Sequence, residues 1–308
     1  MRVNGPWLLI LFGLLGCATE HINRDDVVLW HACRGAEARA LNLSINRYNL
    51  TNPKRPLRAV ALPYDAFANK LRVSVPRGNG PDLFIFAHDQ VGDWAENGLI
   101  EAFGAYMTVP QLARFLPETL PGLVYENVLY GLPLAYKTLA LFYDRTLVPT
   151  PPKTSHEMIT IATQVRSRTS EHWGIAYPVE SFYYHAPWLH GFGADVFDEA
   201  GAFKIDTPGL RQSLAFARRL VTDGLMPKDA TSPQITTLFK ERKLAFVIDG
   251  PWFAGDLEGH GGWGVAPLPT MSSTGKFARP YLGIDALMMS AHSRAKDDAL
   301  LAARFLTS

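Results

Sequence analysis

The sequence predicts an α/β protein in two halves. Three observations carry that reading. Short apolar runs alternate with amphipathic stretches of helical period, and the runs 83–86 and 244–248 are continuously apolar, as strands buried on both faces are. A length of 308 residues also corresponds to about two domains.

Residues 27–30 form a first strand and 37–49 a helix with Ala38, Leu41, Ile45 and Tyr48 on one face, closed by Pro53 and Pro56. Residues 57–62 are a second strand and 65–75 a second helix with Phe67, Leu71 and Val75 inward. Gly78, Gly80 and Pro81 break the chain before a third strand at 83–87. Strand, helix, strand, helix, strand predicts a parallel sheet. Between 98 and 129 short helical pieces are punctuated by Pro110, Pro117 and Pro121, and strand composition returns at 130–135 and 139–143.

The second half opens at Pro149-Thr-Pro-Pro152, and Thr154-Ser-His-Glu157 has the spacing of a capping box for a helix to about 166. A strand at 174–178 follows, then a helix that Thr207-Pro208 starts and Gly224 ends, then the strand 244–248 and a final helix over 295–306. In open α/β sheets ligands bind outside the carboxyl ends of strands. Ala87-His-Asp89 and Asp249-Gly-Pro-Trp252 occupy such ends, one in each half, which predicts a single cleft between the halves.

Composition narrows the class. The chain is 47% hydrophobic and 19% charged, an ordinary globular balance, and 30 Lys and Arg against 29 Asp and Glu give a net charge of +1. No basic footprint for nucleic acid or acidic lipid exists, so nucleic acid is excluded as the expected partner. At the amino terminus Arg2 precedes an apolar run over residues 7–15, too short for a bilayer span and suited to a signal peptide over residues 1–16. Leu14-Leu-Gly-Cys17 resembles a bacterial lipobox, which makes Cys17 the expected lipidation site and the protein an exported, membrane-anchored one. A plain signal peptide with an incidental cysteine is the alternative. With Cys17 set aside, Cys33 stands alone, which leaves no intramolecular disulfide and no metal site of the cysteine-pair type.

Gly78-Asn-Gly-Pro-Asp-Leu-Phe-Ile-Phe-Ala-His-Asp89, followed by Gly92, Trp94 and Asn97-Gly-Leu-Ile100, resembles the extracellular solute-binding proteins of sugar ABC transporters, the family of the maltose binders. The similarity continues in the family's order at Tyr130-Gly-Leu-Pro-Leu-Ala135, Leu147-Val-Pro-Thr-Pro-Pro-Lys-Thr154, Ile248-Asp-Gly-Pro-Trp252 and Gly264-Val-Ala-Pro-Leu-Pro269. It implies a two-lobe periplasmic-binding-protein fold of type II with a hinge. Residues 17–135 and 286–308 would make the first lobe and 136–285 the second, the chain crossing at 134–137 and returning at 283–286. Family members continue past the position of Ser308, so the resemblance implies a second lobe incomplete by comparison, with an exposed apolar patch, in a monomer or in a protein completed by another chain.

A sugar offers hydroxyls that suit charged and amide partners and C–H faces that suit aromatic rings. The resemblance carries Phe86, His88 and Asp89 into the site from the first lobe, with Gln90 where maltose binders often have Arg, and Arg34 from the loop Cys33-Arg-Gly35. Lys137 and Ser181 stand where the maltose binder has carboxylates, and Tyr183 and Trp252 where it has stacking aromatics. Each has an alternative: Phe86 and Trp252 as core aromatics, Asp89 as a helix cap, His88 and His185 as satisfied polar residues. Asp82 is expected to be a turn or capping residue.

Enzyme signatures fail. His156-Glu157 has Thr160 where a zinc-protease helix needs its second His, and Gly259-His-Gly-Gly-Trp-Gly264 follows a helix and precedes a strand, the reverse of a dinucleotide site. No Gly-x-Ser-x-Gly elbow is present. The expectation is therefore a non-catalytic sugar-binding lipoprotein without metal or cofactor that delivers an oligosaccharide to permease subunits. A glycan-processing enzyme and a sensory or orphan sugar binder remain the alternatives.

Overall fold

The computed structural model describes residues 26–198 and 200–308; the expected leader and Cys17 lie outside the described residues. The first lobe runs β1 (Val27–His31), α1 (Gly35–Thr51), β2 (Leu57–Ala61), α2 (Tyr64–Ser74) and β3 (Leu83–Ala87). α1 buries Leu41, Ile45 and Tyr48, and α2 buries Phe67 and Leu71, the faces their helical spacing prescribes. α3 (Val91–Glu96), α4 (Val109–Leu112) and a small hairpin of β4 (Val124–Tyr125) and β5 (Val128–Leu129) lead to β6 (Leu132–Lys137).

The second lobe holds β7 (Ala140–Asp144), α5 (Ser155–Arg168), β8 (Trp173–Ala176), α6 (Phe182–Gly191), α7 (Pro208–Thr222), α8 (Ser232–Lys240), β9 (Leu244–Asp249), α9 (Pro251–Asp256) and β10 (Trp263–Ala266). β11 (Gly283–Met289) and α10 (Lys296–Leu306) return to the first lobe. Thr154 caps α5 by accepting from the Glu157 N–H at 3.2 Å, but the Glu157 carboxylate accepts from Lys153 rather than from the cap itself, so the capping box is displaced by one residue. Thr207 caps α7, and Gly224 takes φ 68° just past its end. α6 gave no periodic signal because residues 185–191 are all buried and Pro187 lies within it.

Both sheets are mixed: the three strands expected to run parallel do so, and later strands join them antiparallel. The first has the order β2-β1-β3-β11-β6, in which β2 and β3 run parallel to β1 while β11 runs antiparallel to both β3 and β6. The second has the order β10-β7-β9-β8, with only β8 and β9 parallel. Its two faces carry separate cores: Leu141, Phe246 and Ile248 pack under α5 and α7, and Phe142 and Val247 under α8 and α9. The second lobe also leaves Phe197, Phe203, Ile205, Leu214 and Phe277 exposed.

The chain passes between the sheets twice, from β6 to β7 and from β10 to β11. β6 and β11 pair with each other in the first sheet, Gly283 opposite Lys137 and Asp285 opposite Ala135. Residues 136–137 and 283–285, expected in the second lobe, are thus strand residues of the first. Asp82 is a clamp at the base of that sheet: its carboxylate accepts from the Val28 N–H at 2.9 Å and from the Ser293 hydroxyl at 2.7 Å.

Candidate functional site

The ends of β6 and β11 bring Lys137 and Asp285 to the gap between the sheets. Lys137 Nζ lies 2.6 Å from Asp285 Oδ2, 3.1 Å from Glu37 Oε1 of α1 and 5.7 Å from the centre of the Trp252 ring across the gap. Burial disfavours its charge, but the two carboxylates outweigh burial and hold the ammonium above its ordinary pKa. Asp285 itself is pushed up, because its burial outweighs the stabilising lysine. Cys33 stands beside this cluster; burial, then Glu37 and Asp285, push its thiol up to about 11, so it is a protonated, weakly nucleophilic group.

From the second lobe, β9 delivers Asp249, which is 5% exposed. Its Oδ1 accepts from the Tyr184 hydroxyl at 2.9 Å and the Gly250 N–H at 2.8 Å. Burial pushes it up to about 6 against the opposing pull of these donors and of Trp252. Gly250 is required for packing: a Cβ there would lie 2.2 Å from the Trp252 ring, so the indole rests on bare backbone. Tyr183 and Trp252 sit 6.4 Å apart at 38°, and burial pushes the Tyr183 hydroxyl up to about 12, with Tyr64 of the first lobe the next contributor.

At the rim α1 and α9 meet. Arg34 lies 3.8 Å from Asp256, and Arg39 holds Glu258 through two hydrogen bonds of 2.8 and 3.2 Å. The structure therefore brings Lys137, Tyr183 and Trp252 together in the gap between the sheets, with Arg34 at the α1–α9 rim. Ser181 precedes the first turn of α6, where its carbonyl accepts from Tyr184 and His185, and so it aims that helix's tyrosines. Asp89 is exposed, with Gln90 Nε2 at 3.4 Å from its carboxylate.

Two expected ligand residues are held by protein partners. Phe86 is 6% exposed and sandwiched between Tyr64 and Phe67, the core placement that the sequence left open beside the ligand role. His88 turns its Nδ1 to the Ile284 N–H at 3.2 Å; burial lowers its pKa, so it is a neutral acceptor that pins β11. Asp285, Glu37 and Tyr64 were missed. Tyr64 was in principle legible, because it opens the helix after the carboxyl end of β2, the same strand-end position that pointed to Asp89 and Trp252. Among the described residues, no group of three or more His, Cys, Asp and Glu is placed to hold a metal ion.

The family model of the bacterial extracellular solute-binding proteins matches residues 44–308. A maltotriose-binding protein of Pyrococcus abyssi is 30% identical over 289 residues, which cover 92% of this chain and 62% of that protein. A galactooligosaccharide-binding protein of Bacillus subtilis is 27% identical over 266 residues, again 62% of its length. The chain thus spans about six tenths of the length of these relatives. Among solved structures, the Thermus thermophilus maltotriose binding protein bound with maltotriose is similar at a TM-score of 0.82 and 26% identity, covering 92% of this chain and 77% of that one.

Proposed function

Because the chain belongs to the bacterial extracellular solute-binding proteins and has their two-lobed type II fold, we propose that it binds an oligosaccharide of the maltodextrin kind between its lobes and delivers it to the permease of an ABC transporter. The observation that carries this reading is the pairing of aromatic faces with carboxylates in one cleft: Tyr183 and Trp252 stand 6.4 Å apart beside Asp249, opposite Asp285 and Glu37. Rings suit the C–H faces of a pyranose, and carboxylates accept from its hydroxyls. Binding proteins of this shape close about a hinge. The paired strands β6 and β11 stand where such a hinge belongs, and the α1–α9 contact at the rim is what closure brings together.

The test is a thermal-shift panel of maltotriose, other oligosaccharides, amino acids, polyamines and phosphate esters. A ligand that binds only the folded state, at about a hundred times its dissociation constant, adds roughly 2.7 kcal/mol, which raises the melting temperature by several degrees. Stabilisation by maltodextrins alone is the expected outcome, and stabilisation by amino acids or polyamines alone would sink the assignment. Maltotriose recovered after incubation should be chemically unchanged. Export with lipidation at Cys17 is part of the proposal, and Cys17→Ala should release the protein from the membrane fraction of a bacterial host. A wild-type protein found wholly soluble would remove the anchor.

A further inference from the structure

The first lobe's aromatic contribution to the cleft comes from a residue that none of the family motifs contains. Tyr64 is the first residue of α2, and its ring stacks on Phe86 with centroids 4.8 Å apart and planes at 18°. Phe86 stacks in turn on Phe67 at 4.7 Å and 21°. Exposure rises along this column from 0% at Phe67 to 6% at Phe86 and 55% at Tyr64. Three near-parallel rings that begin in the core and end at the surface fix the plane of the outermost one. Its inner face is taken by Phe86, and its outer side is open.

The other end of the ring is as informative. Burial raises the pKa of the Tyr64 hydroxyl, and the carboxylates of Asp89 and Asp285 add to that rise against an opposing pull from Lys137. Tyr64 is also among the groups that raise the pKa of Tyr183 in the opposite lobe. Phe86, on which the ring stacks, precedes Ala87, the residue of β3 that pairs with Asp285, so the ring lies at the strand ends that hold the Lys137–Asp285 pair.

We propose that Tyr64 is a specificity-determining residue of the cleft, the first-lobe platform on which one pyranose ring stacks, with the neighbouring Asp89 carboxylate accepting hydroxyls from the edge of the same ring. The assignment rests on the sugar-binding reading and deepens it. An aliphatic side chain would shield Phe86 from water as well as a tyrosine does, whereas a flat sugar face needs a flat partner held in a fixed plane. The stack on Phe86 and Phe67 supplies that plane without ordering a mobile ring on binding. The site thus selects a ligand with a flat C–H face bordered by equatorial hydroxyls over a flexible chain of the same polarity.

The experiment is calorimetric titration of maltotriose into the wild type, Tyr64→Leu and Tyr64→Trp, with a melting temperature recorded for each without ligand. Tyr64→Leu keeps apolar cover over Phe86 and removes the face, so it should bind about tenfold more weakly with an unliganded melting temperature close to wild type. Tyr64→Trp should stay within about threefold of wild type, and its emission minus that of wild type should change on titration as the new indole is covered. Wild type that binds maltotriose while Tyr64→Leu binds it equally well would overturn the platform and leave the sugar reading standing. Wild type that binds no maltodextrin would bring down both. Should Tyr64→Leu fail to fold, the emission difference decides alone: no change on titration overturns the platform.

Discussion

Lys137 Nζ and Asp285 Oδ2 lie 2.6 Å apart and join the strand that leaves the first sheet to the strand that re-enters it. Glu37 closes the cluster from α1 at 3.1 Å, and the Trp252 ring of the second lobe covers it. One lysine thus touches both crossing strands, a helix of the first lobe and an aromatic of the second. The side chains of Lys137 and Asp285 are only 17% and 22% exposed, so the pair is a partly buried one.

Removing the cation should be costly. Lys137→Met leaves Asp285 in a dry environment with no counter-charge, and a loss of about 1–3 kcal/mol in urea unfolding is expected, less than a fully buried pair would show. Adding Asp285→Asn should return part of that loss, because the two residues are in contact. Additive losses would show that the pair is not coupled.

Asp249 makes stability depend on pH in a defined sense. Folding raises its pKa from 3.8 to about 6, so the folded state binds the proton more tightly. Its contribution is fully present below about pH 4 and is lost as pH rises through 6. His31, His88 and His185 are lowered by burial and act in the opposite sense, losing their contribution as pH falls. The difference between wild type and Asp249→Asn isolates the carboxyl: wild type should gain about 2 kcal/mol relative to the variant between pH 7 and pH 4. A flat difference curve would contradict the buried geometry.

Gly250→Ala should behave as a displaced Trp252. The added methyl would sit 2.2 Å from the indole, so the ring must swing away. Both Gly250→Ala and Trp252→Ala are expected to lose maltotriose-induced stabilisation in the thermal-shift assay, while Trp173→Ala, at the outer strand of the second sheet, keeps it.

His88→Ala separates a structural from a binding role. The variant leaves the Ile284 N–H without its acceptor, which costs about 1–3 kcal/mol when the group is buried. Affinity for maltotriose should stay within about twofold. A large loss of affinity at unchanged stability would restore His88 to the ligand site.

The rim pair Arg39–Glu258 is exposed on both sides, so it contributes little to folding. On the proposed closure its effect falls on binding. Arg39→Ala should weaken maltotriose binding by roughly twofold to fivefold at low salt, and the difference should vanish near 1 M salt, where the screening length falls to about 3 Å. A salt-independent difference would indicate a direct ligand contact instead.

Local chemistry was legible in the sequence wherever one stretch of chain determines it. The apolar runs named β1, β2, β3, β7 and β9; helical spacing named the buried faces of α1 and α2; Thr154, Thr207 and Gly224 marked helix ends. These depend on neighbours a few residues away, and the side chains carry the signal themselves. The parallel run of β1, β2 and β3 followed as well, but the direction of β11 did not, because it enters beside β3 from almost two hundred residues later and makes the sheet a mixed one.

The site divides in the same way. The order of elements brought Asp89 and Trp252 to strand ends, and the family resemblance carried Lys137 and Tyr183. The sequence could not choose the face to which Phe86 turns, because a strand buried on both faces is apolar throughout and gives no alternation to read. Only the packing of α2 on β3 decided that Phe86 lies inward and that Tyr64, twenty-two positions earlier in the chain, covers it. The partners of Lys137 were likewise fixed by tertiary structure alone: Glu37 and Asp285 are 248 positions apart, and a salt bridge is a statement about distance in space that sequence separation does not contain.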